Sequence, residues 1–224
     1  MPDSHEAAGA PHAKPRKNTR SRSGDKRQRI IDAAVKIFAG KGFYNAKVSE
    51  IAKEAGVANG TIYLYFANKD DILISLFEQE MKRIIGRMKA EIERERDPLR
   101  KIERFAALHL GLIEERKELA EVLQVELRQS SKFMKEYRNR KFAEYVNLIS
   151  AIIREGQKAG VVRPDIMPGI AKRAFFGALD EMSRFWVLSR RKKYSTSTAA
   201  RQIAEFFVHG IASLPEGRVA VRAR

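Results

Sequence analysis

Apolar residues recur at three- and four-residue spacing along most of this chain, and nothing resembles a strand hairpin or an internal repeat, so the pattern predicts helices throughout. From Asp25 to Ala39 one stripe holds Ile30, Ala33, Ala34, Ile37 and Phe38 and reads as core. Gly40-Lys41-Gly42 stops that helix, Phe43 packs back, and Asn45 stands where it can cap the next one. Two short helices follow, at 48 to 55 and 59 to about 65. Between them Gly56 can take the positive φ that turns one helix steeply into the next, and Val57 plugs the corner, which is the grammar of a helix-turn-helix. Asn68 caps a helix running to about Arg96, with Asp70 and Asp71 in its first turn and Ile72, Leu76, Met81, Ile84, Ile85, Met88 and Ile92 facing inward. That helix spans roughly 40 Å, enough to join a head to a separate body. Asp97-Pro98 interrupts it, because a residue before proline disfavours helix.

Five more helices are predicted, at about 98 to 116, 118 to 129, 131 to 159, 166 to 190 and 197 to 212. Gly160 stops the third of these, and residues 191 to 196 form a polar connection to the last. The organisation expected is a disordered basic arm at 1 to 24, a helix-turn-helix domain at 25 to 68, a larger helical domain at 69 to 213 and a loose basic tail at 214 to 224. Lys14, Arg16, Lys17, Arg20 and Arg22 of the arm suit a DNA minor groove, and equally suit a solvated tail.

Charge narrows the partners. With 44 Lys and Arg against 28 Asp and Glu, the 224-residue chain carries a formal +16, so a polyanion is a natural partner, whether DNA, RNA or an anionic membrane surface. Cysteine is absent, which excludes disulfides, thiolate metal sites and cysteine nucleophiles and fits a reducing cytoplasm. No apolar run is long enough to span a bilayer and the N-terminus lacks a signal-like apolar segment, so no membrane association is expected. His5, His12, His109 and His209 are scattered, and no HExxH, GxSxG, P-loop or GxGxxG pattern occurs, so neither an enzyme nor a bound metal or cofactor is expected.

The second short helix carries the candidate DNA chemistry. Ala58, Asn59, Gly60 and Thr61 lie at its N-terminus, where free backbone N–H groups and the positive end of the helix dipole favour phosphate oxygens. Tyr63 and Tyr65 offer hydroxyls and ring edges, Ile62 and Phe66 point to the core, and Lys69 is placed to reach a phosphate. An ordinary helical hairpin with a tyrosine-rich edge fits the same residues. In the body, Phe105, Leu108, His109, Leu112, Leu123, Leu127, Phe133, Phe142, Tyr145, Val146, Phe175, Phe176, Leu179, Phe185 and Trp186 fall on apolar stripes, which spacing alone reads as core. His109 is read as a hydrogen-bonded core histidine or a ligand contact, and Arg128 as the partner of Glu126 or a neighbouring acid, or as a phosphate contact. Asp180-Glu181 is left open among a cap, a salt bridge to a second copy of the chain and a cavity wall.

The basic first helix, the Gly42-Phe43 turn, the helix-turn-helix and Gly60-Thr61-Ile62-Tyr63-Leu64-Tyr65-Phe66-Ala67-Asn68-Lys69 together resemble the TetR family of bacterial repressors over about residues 26 to 85. DDILISLF (Asp70 to Phe77), VELRQS (Val125 to Ser130), the Glu155 to Val161 turn and FGALDEMSRFWV (Phe176 to Val187) further resemble the TetR-type FadR regulators of fatty-acid degradation. The resemblance implies an all-α fold, with a three-helix DNA-binding head joined by a long helix to a ligand-binding and dimerisation body. It implies a homodimer paired through the last two helices, where Ile170, Ala174, Ala178, Phe206, Phe207 and Ile211 lie, bound to a palindromic double-stranded operator.

It also implies an effector among the middle helices, here a long-chain acyl-CoA, which turns Phe105, His109, Leu112, Leu123, Leu127, Arg128, Phe142, Tyr145, Phe175, Phe176, Leu179 and Trp186 into candidate cavity residues. The phosphates would meet Arg83, Arg87, Arg104, Arg128, Arg138, Lys141 or Arg184. Many relatives carry a threonine near the start of the first short helix. This chain has Lys47-Val48-Ser49, so Lys47 or Ser49 takes over that contact. The expectation is a repressor released by acyl-CoA through the helix at 68 to 96; the alternatives are a regulator of another apolar ligand, such as a drug or aromatic compound, and a ligand-independent architectural DNA-binding protein.

Overall fold

The structure, a computed structural model, describes residues 19–137, 140–189, 191 and 193–213. The arm residues Lys14, Arg16 and Lys17, the mouth candidate Arg138 and the tail from 214 lie outside the described residues. The described residues form ten α-helices and one short 3-10 helix, with no strand beyond an isolated bridge between Val162 and Ala212.

Helix α1 (Thr19–Lys41) begins earlier than Asp25, because the sequence from Thr19 to Gly24 has no apolar residue to set a period. It ends where Gly42 takes φ +78°, and Gly42 N–H closes on Phe38 O at 2.9 Å. Helices α2 (Val48–Glu54) and α3 (Asn59–Ile62) meet at Gly56, φ +64°, as a helix-turn-helix requires. Asn45 does not cap α2: its amide turns back to Lys41 O at 3.2 Å, and the Glu50 carboxylate takes the Lys47 N–H at 3.0 Å instead. In α4 (Lys69–Ile92) the Asn68 side chain accepts the Asp71 N–H at 2.9 Å, and all seven inward positions expected of it are buried.

In the body, α5 (Pro98–Glu115) starts on an Asp97 cap with proline in its first turn. The single helix expected at 118 to 129 is instead α6 (Lys117–Gln124) followed by the 3-10 helix Glu126–Gln129. Both Glu126 and Leu127 are buried there, facing different neighbours, which the tighter turn permits. The helix expected at 131 to 159 also divides, into α7 (Ser131–Lys135) and α8 (Arg140–Lys158). Tyr137 folds back between them, with its ring on Phe77 and Phe133 and its hydroxyl donating to Glu78 at 2.7 Å. Helices α9 (Pro168–Leu188) and α10 (Thr196–Ile211) complete the body, α10 lying along α5 and α9 against α8.

One apolar core runs from Ile30, Phe38, Ile51 and Phe66 in the head through α4 into the body. The head is also held from the side. The buried Glu126 carboxylate accepts the Phe43 N–H at 2.5 Å, Tyr44 OH donates to Gln129 O at 2.8 Å, and Ser130 Oγ donates to Asp70 at 2.6 Å.

Gly156 in α8 is a packing glycine: a Cβ there would lie 2.4 Å from Val162 Cγ2 and 3.3 Å from Pro98 Cβ. Gly156→Ala is therefore expected to destabilise by about 1–3 kcal/mol in denaturant melts. Gly86→Ala in α4, where a Cβ meets nothing within 4 Å, should be neutral or stabilising by up to about 1 kcal/mol.

Candidate DNA interface and effector cavity

The α3 N-terminus is presented to solvent. Ala58, Asn59 and Gly60 are exposed, Thr61 is half-buried, and Ile62 and Phe66 anchor the helix below. Tyr63 is 56% exposed, whereas Tyr65 is half-buried and packs partly on the core. Leu64, not among the residues picked from the sequence, is 80% exposed beside Tyr63, an apolar surface of the kind that suits a thymine methyl. Lys47 and Ser49 are both exposed at the start of α2, where backbone N–H groups add to the positive end.

Lys69 departs from expectation. Its ammonium donates to Phe43 O at 2.6 Å, Ala46 O at 3.0 Å and Tyr44 O at 3.1 Å and sits 4.6 Å over the Phe43 ring. All three donors are committed to the α1–α2 turn, so Lys69 ties the head together and is not free to meet a phosphate.

A cavity of about 310 Å³ lies in the body, walled by α4 to α9 and the 3-10 helix. Of the residues proposed from the resemblance, His109, Leu112, Leu123, Leu127, Arg128, Phe142, Tyr145 and Phe176 line it. Phe105, Phe175, Leu179 and Trp186 do not; they are buried one layer back. Phe105 packs on Tyr145 with ring centroids 5.2 Å apart, Phe175 on Phe207 at 4.6 Å and Trp186 on Tyr194 at 5.7 Å. Helical spacing identifies an apolar face but not which of two stacked layers meets a void. The wall also takes Phe77, Met81 and Ile84 from α4, Phe133 from α7, and Arg116, Gln124, Asp180 and Ser183, polar residues that no apolar stripe announces.

The wall is neutral where it is deepest. His109 Nδ1 and Tyr145 OH lie 2.7 Å apart. Burial pushes the His109 imidazole down to about 4, against a weaker pull from Asp180, and burial pushes the Tyr145 phenol up. Both are uncharged at neutral pH, so His109 is at once a hydrogen-bonded histidine and a cavity wall. Arg128 pairs with Asp180 at 2.8 Å rather than with Glu126, whose carboxylate is turned to the head. Arg116 and Arg83 share the buried Glu80, at 2.6 Å and 3.5 Å. The remaining mouth candidates within the described residues stand away from the cavity, Arg87 on Glu115, Arg104 on Glu91, Lys141 on Glu144 and Arg184 on Glu181.

Three outcomes follow from these contacts. Lys69→Met should lower the melting temperature, because three turn carbonyls lose their donor, while Tyr63→Ala should leave stability within about 0.5 kcal/mol and weaken DNA binding. For His109 the folded value of about 4 lies below the ordinary 6.5, so the unfolded chain takes up a proton that the native state refuses. Its contribution is thus intact above pH 6.5 and declines as pH falls toward 4, by roughly 3 kcal/mol in all. The stability difference between wild type and His109→Gln, measured by denaturant melts across that window, should narrow as the pH falls.

The profile of bacterial regulatory proteins of the tetR family matches residues 30–76, and that of the YsiA-like protein C-terminal region matches 77–210. The fatty acid metabolism regulator protein of Bacillus subtilis is 38% identical over 186 residues, which are 83% of this chain and 95% of that protein. The crystal structure of the transcriptional regulator FadR from Bacillus subtilis in complex with stearoyl-CoA superposes with a TM-score of 0.77 at 38% identity, covering 82% of this chain and 98% of that one. The fatty acid degradation regulator FadR from Bacillus halodurans gives 0.75 at 35%, with coverage of 82% and 98%. With its N-terminal helix-turn-helix for DNA and its YsiA-like body, the chain belongs to the TetR family of bacterial transcriptional regulators, which are not enzymes.

Proposed function

We propose that this protein is a homodimeric repressor of fatty-acid degradation genes that leaves a palindromic operator when long-chain acyl-CoA fills the body cavity. The observation that carries the reading is the double duty of the 3-10 helix. Leu127 and Arg128 line the cavity, while Glu126 and Gln129 hold the α1–α2 turn of the head. Anything that displaces this turn moves both. Helix α4 adds a second route, with Asp70 bonded to Ser130 at its start and Phe77, Met81 and Ile84 on the cavity wall further along.

The ligand class follows from the wall. It is mostly apolar, of a volume at the lower end of small-molecule sites, and the neutral His109–Tyr145 pair sets no charge against an acyl chain. Arg83 and Arg128, both on the wall and partly exposed, are the candidates for CoA phosphates, the latter by exchanging Asp180 for phosphate. The relative from Bacillus subtilis solved with stearoyl-CoA supports the same class.

The dimer rests on an uncovered face. Ile170, Ala174, Gly177, Ala178, Glu181 and Phe185 form one exposed stripe along α9, and Phe206 stands 73% exposed on α10. Apolar and small residues in such a row suit close approach of a second copy, and two heads then meet successive major grooves. If acyl-CoA favours a head separation that the operator does not, each weakens the binding of the other by the same factor.

The test is operator release at fixed salt: the protein bound to DNA upstream of its own gene, titrated with free CoA, a short acyl-CoA and a long acyl-CoA. Release by the long acyl-CoA alone is expected. Binding without release by any of the three would discard acyl-CoA as effector. A stable monomer on sizing would discard the dimer.

A further inference from the structure

Two polar atoms in the cavity wall are left without partners. Gln124 Oε1 and Ser183 Oγ are buried and make no hydrogen bond, and Ser183 is only 1% exposed. Folded proteins satisfy roughly 90% or more of their buried polar groups, so a pair of exceptions on one cavity needs a cause. The other polar wall groups need none, since His109 bonds Tyr145 and Arg128 bonds Asp180. The two orphans sit close to the elements that form the Arg128–Asp180 pair: Gln124 closes α6 just before the 3-10 helix, and Ser183 lies three residues after Asp180 on α9.

We infer that Gln124 and Ser183 form a polar subsite in the apolar cavity, built for a ligand group that both donates and accepts a hydrogen bond. The amide oxygen of Gln124 can only accept, so it calls for an N–H or O–H. The Ser183 hydroxyl can then donate to an oxygen of the same group. A plain methylene chain satisfies neither atom, and a lone keto or ether oxygen satisfies only Ser183. Near the acyl end of an acyl-CoA the full chemistry is found in the amides and the hydroxyl of its pantetheine arm and in a hydroxyl on the acyl chain. The inference rests on the acyl-CoA reading above.

The test is calorimetric titration of the full-length wild type, Ser183→Ala and Gln124→Met with a saturated long-chain acyl-CoA and with acyl-CoAs of the same length hydroxylated at C3 or mid-chain. Each substitution is expected to weaken binding about 2- to 10-fold. A loss with every ligand assigns the subsite to the pantetheine arm. A loss confined to a hydroxylated ligand, which wild type then prefers, assigns it to the chain hydroxyl. Thermal melts without ligand give a second readout: since the variants delete an unsatisfied buried atom, their melting temperatures should hold or rise even as affinity falls. Unchanged or tighter binding of all ligands by both variants overturns the subsite while leaving the acyl-CoA reading in place. Failure of wild type to bind any of them removes that reading and the subsite with it.

Discussion

A buried carboxylate meeting a backbone N–H fixes how the two halves of this molecule sit together. Glu126 reaches from the body to Phe43 at the point where α1 gives way to α2, and Gly42 just before it leaves room for the approach, its Cβ position lying 3.4 Å from the same carboxylate. Burying a carboxylate is unfavourable unless it is well bonded, so the geometry that satisfies Glu126 is strongly preferred over its neighbours. A regular helix at this position would carry the side chain elsewhere. The shift from α6 into a 3-10 turn is what aims Glu126 at the head and Leu127 at the cavity.

The same economy of charge governs the cavity. An imidazole and a phenol, both held neutral by burial, make its deep wall polar without making it ionic. Its full charges are confined to paired side chains, Arg128 with Asp180 and Arg83 and Arg116 with Glu80. Such pairs can exchange partners with an anionic ligand at less cost than uncovering a bare charge.

Much of this was legible in the sequence because helices advertise one face. The stripes of α1 and α4, the stops at Gly42 and Gly56 and the cap at Asn68 are local signals, and the fold obeys them. What stayed illegible depends on partners far along the chain. The break after Lys135 has no proline or glycine to mark it and exists because Tyr137 finds Phe77 and Glu78 across the fold. Lys69 reads as a free cation until the carbonyls of residues 43, 44 and 46 are brought beneath it. Phe105 and Phe175 share a face with His109 and Phe176 by spacing, and only packing decides which layer touches the void.

The seam between head and body is largely written in backbone atoms. Glu126 accepts an N–H, Lys69 donates to carbonyls, and Tyr44 gives its hydroxyl to a carbonyl, so none of these bonds depends on the exposed side chains of α3. Asn59, Tyr63 and Leu64 stand clear of the seam altogether. Under the function proposed above, operator preference can therefore drift while the connection to the body persists, and a fixed body can come to govern new promoters by changing a handful of exposed residues.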